Sequence, residues 1–484
     1  MAVLGALEPT RVFHYFEEIC KIPHGSGNVK AISDYLKSFA EEHNLYVKQD
    51  EAYNIFIVKE ASAGYENAPT VMLQGHMDMV CEKTAESTID FSKDGLELSI
   101  DGDWIYAKNT TLGGDDGIAV AYALALLEGN YAHPRLEVLI TVDEEIGMLG
   151  ATAVDLSQSQ AKYLLNADSE EEGILTVGCA GGVAGHCDIE LSSREIEGLH
   201  IELSVEGLTG GHSGVEIQKE RGNANILMGR LLYSLSQHLG YGLESVEGGT
   251  KDNAIPRTSK AIIWLEEENE AVLKEVIEDF EEEVKNELRV SDPDFKARYR
   301  KLPEASGRML VPGDKERVIF FLRNLPNGVA KRSTEIDNLV QTSNNLGILK
   351  ITLDRLHAVS SVRSSVESEK YDLSERIAYL TEFLGGEYTE IGDYPGWEYR
   401  TESKLRDVMT AVYEEQTGNK PKIEAIHAGL ECGILSSKIE DLDCVSFGPD
   451  MKDIHTAQER LSISSVERVW KYLLTVLERL NESA

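Results

Sequence analysis

Basic residues are scarce in this chain. Across 484 residues, 47 Lys and Arg face 84 Asp and Glu, a formal charge of −37. That charge repels phosphate backbones and anionic headgroups, which argues against nucleic-acid binding and a peripheral membrane role. Long apolar runs are also lacking. The longest, Ile118 to Leu127, is ten residues, about half of what a bilayer-spanning helix needs. The first residues carry neither a basic region nor a long apolar one, so no secretory signal is expected. Six cysteines (Cys20, Cys81, Cys179, Cys187, Cys432 and Cys444) contain no Cys-x-x-Cys pair and read as reduced thiols of a cytoplasmic protein. No Gly-x-Ser-x-Gly elbow occurs, which removes the usual serine-hydrolase signature.

What remains is 42% hydrophobic and 27% charged, enough core-forming material for two or three domains of a soluble enzyme or binding protein. The first 170 residues alternate helix-period segments (9–22, 28–43, 117–128) with short β-rich runs (54–58, 70–74, 136–142, 162–166). That alternation predicts an α/β domain around a mostly parallel central sheet. The glycine-rich stretch Gly178–Gly185 reads as a hinge or domain exit. Beyond it lie strand-like 198–206 and 259–264, helical 223–239, and an acidic helix near 268–288 with an apolar stripe of Leu273, Val276, Ile277, Phe280 and Val284. Helix 315–324, strands 335–342 and 347–357 and helix 367–384 complete an α+β domain. Residues 394–400 read as a linker back, followed by helix 402–416, strands near 422–427 and 443–447, and a final helix with a Ser464/Glu467 capping box. The expected layout is one discontinuous domain, 1–185 with 394–484, and an inserted domain, 186–393.

The chemistry-bearing residues cluster where apolar runs stop, the place where open α/β sheets bind ligands. Residues 70–74 lead into Gly75-His76-Met77-Asp78. Residues 136–142 end in Asp143-Glu144-Glu145, and residues 162–167 end in Asp168. Asn109 to Gly117 places Asp115 and Asp116 at a helix start, and His455 lies in a loop before the last helix. Singly, each has an ordinary reading as a solvated acid or a surface histidine, the run Asp143-Glu144-Glu145 least readily because three adjacent acids repel one another unless cations neutralise them. Together, two histidines and three carboxylates without cysteine form a ligand set suited to Zn²⁺, Mn²⁺ or Co²⁺. Five ligands fit two ions if one carboxylate bridges them. Glu144 and Glu145, neighbours on an extended segment, point opposite ways and are expected to have different tasks.

These segments, Gly75-His76-Met77-Asp78-Met79-Val80, Leu112 to Ala119, Val142 to Gly147 and Ile454-His455, resemble the di-metal aminoacylase/carboxypeptidase clan. Within that clan the sequence is most similar to bacterial cytosolic aminoacyl-histidine dipeptidases, the Xaa-His dipeptidases that include carnosine-cleaving enzymes. The resemblance covers essentially the whole chain. It implies a di-metal exopeptidase-like catalytic domain with an inserted α+β lid. It implies two divalent ions, zinc foremost with manganese or cobalt as alternatives. His76 and Asp168 would hold one ion, Glu145 and His455 the other, and Asp115 would bridge both. Asp78 would orient His76, and Glu144 would be the general base acting on a water shared by the ions. A cis peptide bond is implied after Asp115. In the lid, His212 would contact the scissile carbonyl oxygen, while Arg363 and Asn253 would meet the substrate's carboxylate and backbone. Gly429, just beyond His427, is expected to line the pocket. The expected substrate is a small peptide and the expected assembly a homodimer; a tripeptidase or an N-acyl amino acid deacylase of the same clan is the alternative. Many clan members have Lys-Gly after the bridging Asp; here Asp116-Gly117 follows, and Asp116 is left as a solvated or supporting acid.

Overall fold

The apolar runs that end at the candidate residues form the middle of one sheet. In the computed structural model, which describes residues 3–481, eight strands lie in the order Tyr46–Gln49, Ile55–Lys59, Leu136–Thr141, Thr70–His76, Ala161–Asn166, Asp443–Ser446, Ile174–Cys179 and Lys422–Ile426. The four strands from Leu136–Thr141 to Asp443–Ser446 run parallel, with antiparallel neighbours on both flanks. Every residue of Thr70–His76 and of Leu136–Thr141 is buried, as unbroken apolar strands covered on both faces require. The helix Gly114–Glu128 is apolar all round and buried through Leu127, which marks a core helix. Its Tyr122 stacks on Trp470 of the C-terminal helix Ile463–Arg479 at 5.8 Å.

The chain divides into two compact units, Met1–Gly178 with Tyr399–Ala425 and Leu430–Ala484, and Cys179–Glu398 with Ile426–Gly429. The second unit is built on an antiparallel sheet with strands in the order Lys296–Lys301, Leu199–Glu206, Ser259–Leu265, Gly242–Gly248, Val340–Ile351, Arg355–Ser364, Gly181–Glu190 and Glu387–Tyr394. Helices Ala224–His238, Glu270–Glu287, Pro312–Asn324 and Glu367–Phe383 contribute to one hydrophobic core with this sheet. The acidic helix buries Leu273, Val276, Ile277, Phe280 and Val284, the stripe its sequence prescribes.

Several local expectations are corrected. The glycine-rich stretch is where the chain leaves the first unit, at Gly178, as the domain-exit reading expects, but it is not a loop there: it runs directly into the long strand Gly181–Glu190. Its glycines are needed because side chains at 182 and 185 would collide with the phenol groups of Tyr394 and Tyr388. Strands expected at 335–342 and 347–357 are instead Val340–Ile351 and Arg355–Ser364, so the connection falls at 352–354 rather than at 343–346. The last helix is capped by Ser462, whose side chain accepts from the Ser465 N–H. Ser464 does not cap it; its main-chain N–H and its hydroxyl both donate to Asp103.

Candidate active site

In the first unit, each candidate side chain projects from the end of a central strand or from a loop beside it. His76 closes the strand Thr70–His76 and is fully buried. Its Nε2 lies 3.1 Å from Asp115 Oδ1 and 3.6 Å from Asp168 Oδ1. The other Asp115 oxygen, Oδ2, lies 3.0 Å from His455 Nε2, and that nitrogen is 2.9 Å from Glu145 Oε1. Asp115 therefore turns one oxygen to each histidine. Two groups result, His76 with Asp115 and Asp168, and His455 with Asp115 and Glu145, each with ligand atoms within 4.8 Å of one another. Glu144 comes within the same span of His76 and Glu145.

The donor chemistry fits a pair of divalent cations. Glu145 Oε1 is buried without a properly directed hydrogen bond, although His455 Nε2 is only 2.9 Å away. Close approach without hydrogen-bond geometry is what two lone pairs aimed at a common point produce. The electrostatics agree. Burial, with Asp168, Glu431 and Glu145 adding to it and His76 opposing, pushes the Glu144 carboxyl up to about 9. Burial likewise takes Asp168 up to about 6. The Asp115 and Glu145 carboxylates close to its ring raise His455 to about 10, while Asp115 itself, despite its burial, is held below the usual carboxylate range by the two histidines. Too many acids share too little space for their own cations, and protons occupy the places that metal ions displace.

A second layer fixes these groups. His76 Nδ1 donates to the Asp78 main-chain carbonyl at 3.0 Å, with the Asp78 carboxylate at 3.5 Å. That carboxylate accepts from Ser26 Oγ at 2.8 Å and from the main-chain N–H groups of Glu144 and Glu145 at 3.0 and 3.4 Å. Asp78 thus sets the turn that aims the two glutamates as well as the ring of His76. Asp116 is fully buried, not solvated, and accepts the His76 N–H at 3.2 Å. The Asp115–Asp116 peptide bond is cis. Beneath the strand ends, the buried Glu431 accepts from Gln74 at 2.5 Å and Thr141 at 2.7 Å. Neither Ser26 nor Glu431 carries a sequence signal, because each is recognisable only by partners far away in the chain.

The second unit gathers the other candidates. His212 pairs with Ala254, and Ser213 N–H donates to the Asn253 carbonyl at 2.9 Å. The Gly214 and Val215 N–H groups both donate to His212 Nδ1, at 3.1 and 3.3 Å. Nδ1 is therefore the acceptor, which leaves the proton of the neutral ring on Nε2. Burial, then the positive charge of Arg363, holds His212 below its ordinary pKa. Arg363 is 8% exposed, sits opposite Ser343 on the next strand, and donates to Tyr394 Oη at 2.9 Å. Its Nε has no partner, and among the described residues it forms no ion pair. His427 lies 2.7 Å from Ser343 Oγ through Nε2, has an unpartnered Nδ1, and is lowered to about 3 by burial and Arg363. Asn253 is exposed, and Gly429 is half-buried at the end of the segment carrying His427.

Residues 72–479 match peptidase family M20/M25/M40. The chain is 35% identical over 483 residues, 99% of each sequence, to the cytosol non-specific dipeptidase of Escherichia coli (strain K12). Its fold superposes on the crystal structure of aminoacylhistidine dipeptidase from Vibrio alginolyticus with a TM-score of 0.94, at 36% identity and 99% coverage of both chains. Aminopeptidase PepT from Bacillus cereus shares the fold at a TM-score of 0.56 and 15% identity, over 98% of this chain and 100% of that one. With its strand-end carboxylates and histidines in two groups that share Asp115, the chain belongs to peptidase family M20/M25/M40.

Proposed function

We propose that this protein is a cytoplasmic, metal-dependent dipeptidase that hydrolyses the peptide bond of Xaa-His and other dipeptides, and that it works as a homodimer. One observation carries the reading: two ligand groups share Asp115, with Glu144 beside them. His76 and Asp168 would hold one ion, Glu145 and His455 the other, and Asp115 both, with zinc the first candidate. Such ions supply Lewis acidity toward a carbonyl and bring the pKa of water toward about 7. The similarity to a cytosol non-specific dipeptidase and to an aminoacylhistidine dipeptidase supports the substrate class.

The chain's own groups then divide the work. Glu144 takes the proton of the attacking water on its carboxylate and delivers it to the leaving nitrogen. Cations held beside it would favour its ionised form and so oppose the rise that burial causes. Asp78 keeps Glu144 on station through the main-chain hydrogen bond it accepts. His212, neutral with its proton on Nε2, is a donor suited to the oxyanion of the tetrahedral state, a contribution on the order of 3 kcal/mol. Arg363 has a buried guanidinium without a counter-ion among the described residues, and a free substrate carboxylate would complete it. Asn253 and Gly429 are assigned to the substrate's backbone. In this scheme the unit Met1–Gly178 with Tyr399–Ala425 and Leu430–Ala484 acts as the catalytic domain and Cys179–Glu398 with Ile426–Gly429 as its lid, a division a few residues away from the expected 1–185 with 394–484 and 186–393.

The test is metal analysis combined with turnover on β-alanyl-histidine, ordinary dipeptides, tripeptides and N-acetyl amino acids. Two divalent ions per chain with dipeptides turned over best is the expected result. Preference for tripeptides or N-acetyl amino acids would reassign the substrate, and metal binding without hydrolysis of any of them would overturn the enzymatic reading.

A further inference from the structure

The loop carrying Asp115 turns so that four consecutive main-chain N–H groups face one side, and a single carboxylate meets all four. Glu459 Oε2 accepts from Leu112 at 2.7 Å and Gly113 at 3.1 Å, and Oε1 accepts from Gly114 at 2.8 Å and Asp115 at 3.3 Å. The turn requires φ of 66° at Gly113, a left-handed value suited to glycine, and successive N–H groups around such a residue make a concave anion cradle. Glu459 is 3% exposed and forms no ion pair among the described residues. A buried carboxylate held by main-chain donors alone is costly to keep, because a neutral residue with the four N–H groups turned elsewhere would avoid its desolvation.

Its place in the chain supplies the reason for keeping it. Glu459 follows His455 by four residues, and the turn between them is tightly tied. Thr456 Oγ1 donates to the Asp453 carbonyl at 2.7 Å, Gln458 N–H donates to Thr456 Oγ1 at 3.2 Å, and Glu459 N–H donates to the Thr456 carbonyl at 3.2 Å. One side chain therefore locks the Asp115 loop to the turn bearing His455, a segment 340 residues away in sequence. Asp115 must present Oδ1 toward His76 and Oδ2 toward His455 at once, and a small rotation of its loop would spoil both approaches.

We propose that Glu459 is the positioning residue of the metal centre, acting through the main chain of residues 112–115 to hold Asp115 in register with His455. The proposal rests on the reading of Asp115 and His455 as metal ligands.

Glu459→Gln keeps the shape but turns an amide NH₂ toward two of the four donors. Three quantities decide: Zn²⁺ and Mn²⁺ affinity by competition with a chromophoric chelator, hydrogen exchange of residues 112–116 in the metal-free protein, and kcat and KM at saturating metal. The expected result is affinity for at least one ion weakened about tenfold or more, faster exchange at 112–115, and a lower kcat with KM unchanged. Gly114→Ala is the milder second variant, because its new Cβ would sit 3.2 Å from Glu459 Oε1 and nudge the carboxylate without removing it. It is expected to move all three quantities the same way by less, and it decides the matter if the glutamine variant does not fold. A lower melting temperature with wild-type ion affinity and kcat would make Glu459 structural only and overturn the proposal. Should the wild-type protein take up neither ion, the ligand reading falls, and with it the metal role of Glu459, whereas exchange at 112–115 would still report whether the clamp exists.

Discussion

The two units present mirror-image electrostatic deficits. In the first, His76, Asp115, Glu144, Glu145, Asp168 and His455 crowd carboxylates together, and burial drives Glu144 and Asp168 toward their protonated forms. In the second, the buried Arg363 has no carboxylate partner among the described residues, and its charge, added to burial, keeps His212 and His427 neutral. One cluster lacks cations and the other lacks an anion. A folded protein that leaves both unresolved has kept room for charges that arrive from outside, since an uncompensated buried charge is destabilising by itself. In the proposed scheme divalent ions answer the first deficit and a substrate carboxylate the second. On that reading one chain prepares for inorganic and organic recognition by the same device, an incomplete charge balance.

The sharpest way to break this comparison is to strip one function from the first cluster without unbalancing it. Glu144→Gln is expected to lower kcat by about 10²–10⁴-fold while both ions stay bound, measured as turnover alongside metal content. Loss of an ion in that variant would make Glu144 a ligand and exchange its role with Glu145. Glu145→Gln and His455→Ala are expected to lose an ion together with activity, and full metal content in either would remove that residue from the ligand set. In the second cluster, His212→Ala is expected to cost roughly 10²–10³ in kcat at constant metal content. An unchanged kcat would leave its Nε2–H without a catalytic task.

Much of the first cluster was legible because strand ends in α/β sheets announce themselves. An apolar run that stops at His76, Glu144 or Asp168 gives position and chemistry together. The acidic helix Glu270–Glu287 was equally plain, since its stripe repeats at helical spacing. Glu459, Glu431 and Ser26 were not legible. Each supports the site through hydrogen bonds across many residues, and locally each looks like an ordinary polar residue of a loop or short helix. The edge strand Glu387–Tyr394 was not legible for a related reason, as this largely exposed segment lacks the apolar alternation that marks a strand. The Ser464 capping box failed because Asp103, distant in sequence, captured that serine and left Ser462 to cap the helix.

The anionic partner proposed for Arg363 is tested more gently. Arg363→Ala is expected to raise KM for dipeptides by about tenfold to a hundredfold, the worth of a charge-assisted hydrogen bond, with a smaller effect on kcat. A dipeptide amide, which lacks the carboxylate, should be handled alike by the variant and the wild-type protein. If KM for free dipeptides does not move, the second deficit has some other answer.

The smallest effect is the one that separates the two clusters by sign. His455, raised to about 10, and Glu144, raised to about 9, bind protons more tightly in the folded metal-free protein than in the unfolded chain, where the ordinary values are 6.5 and 4.5. Their contribution to stability is complete below those ordinary values and is lost as pH rises toward 9 to 10. His427, lowered to about 3, behaves oppositely, because the unfolded chain takes up its proton first as pH falls below 6.5. Its contribution is present above that pH and is lost toward pH 3. In the proposed scheme metal ions replace protons only in the first cluster. The melting temperature of the metal-free protein is therefore expected to decline between pH 6.5 and 9, and Zn²⁺ or Mn²⁺ should reverse that decline by a margin that widens with pH. On the acid side the His427 contribution does not depend on metal, so His427→Gln should flatten the decline below pH 6.5 to the same degree with and without the ions. A metal effect of constant size from pH 6.5 to 9, followed by differential scanning fluorimetry, would mean that the ions do not displace the protons of His455 and Glu144, and the two clusters would no longer be opposites.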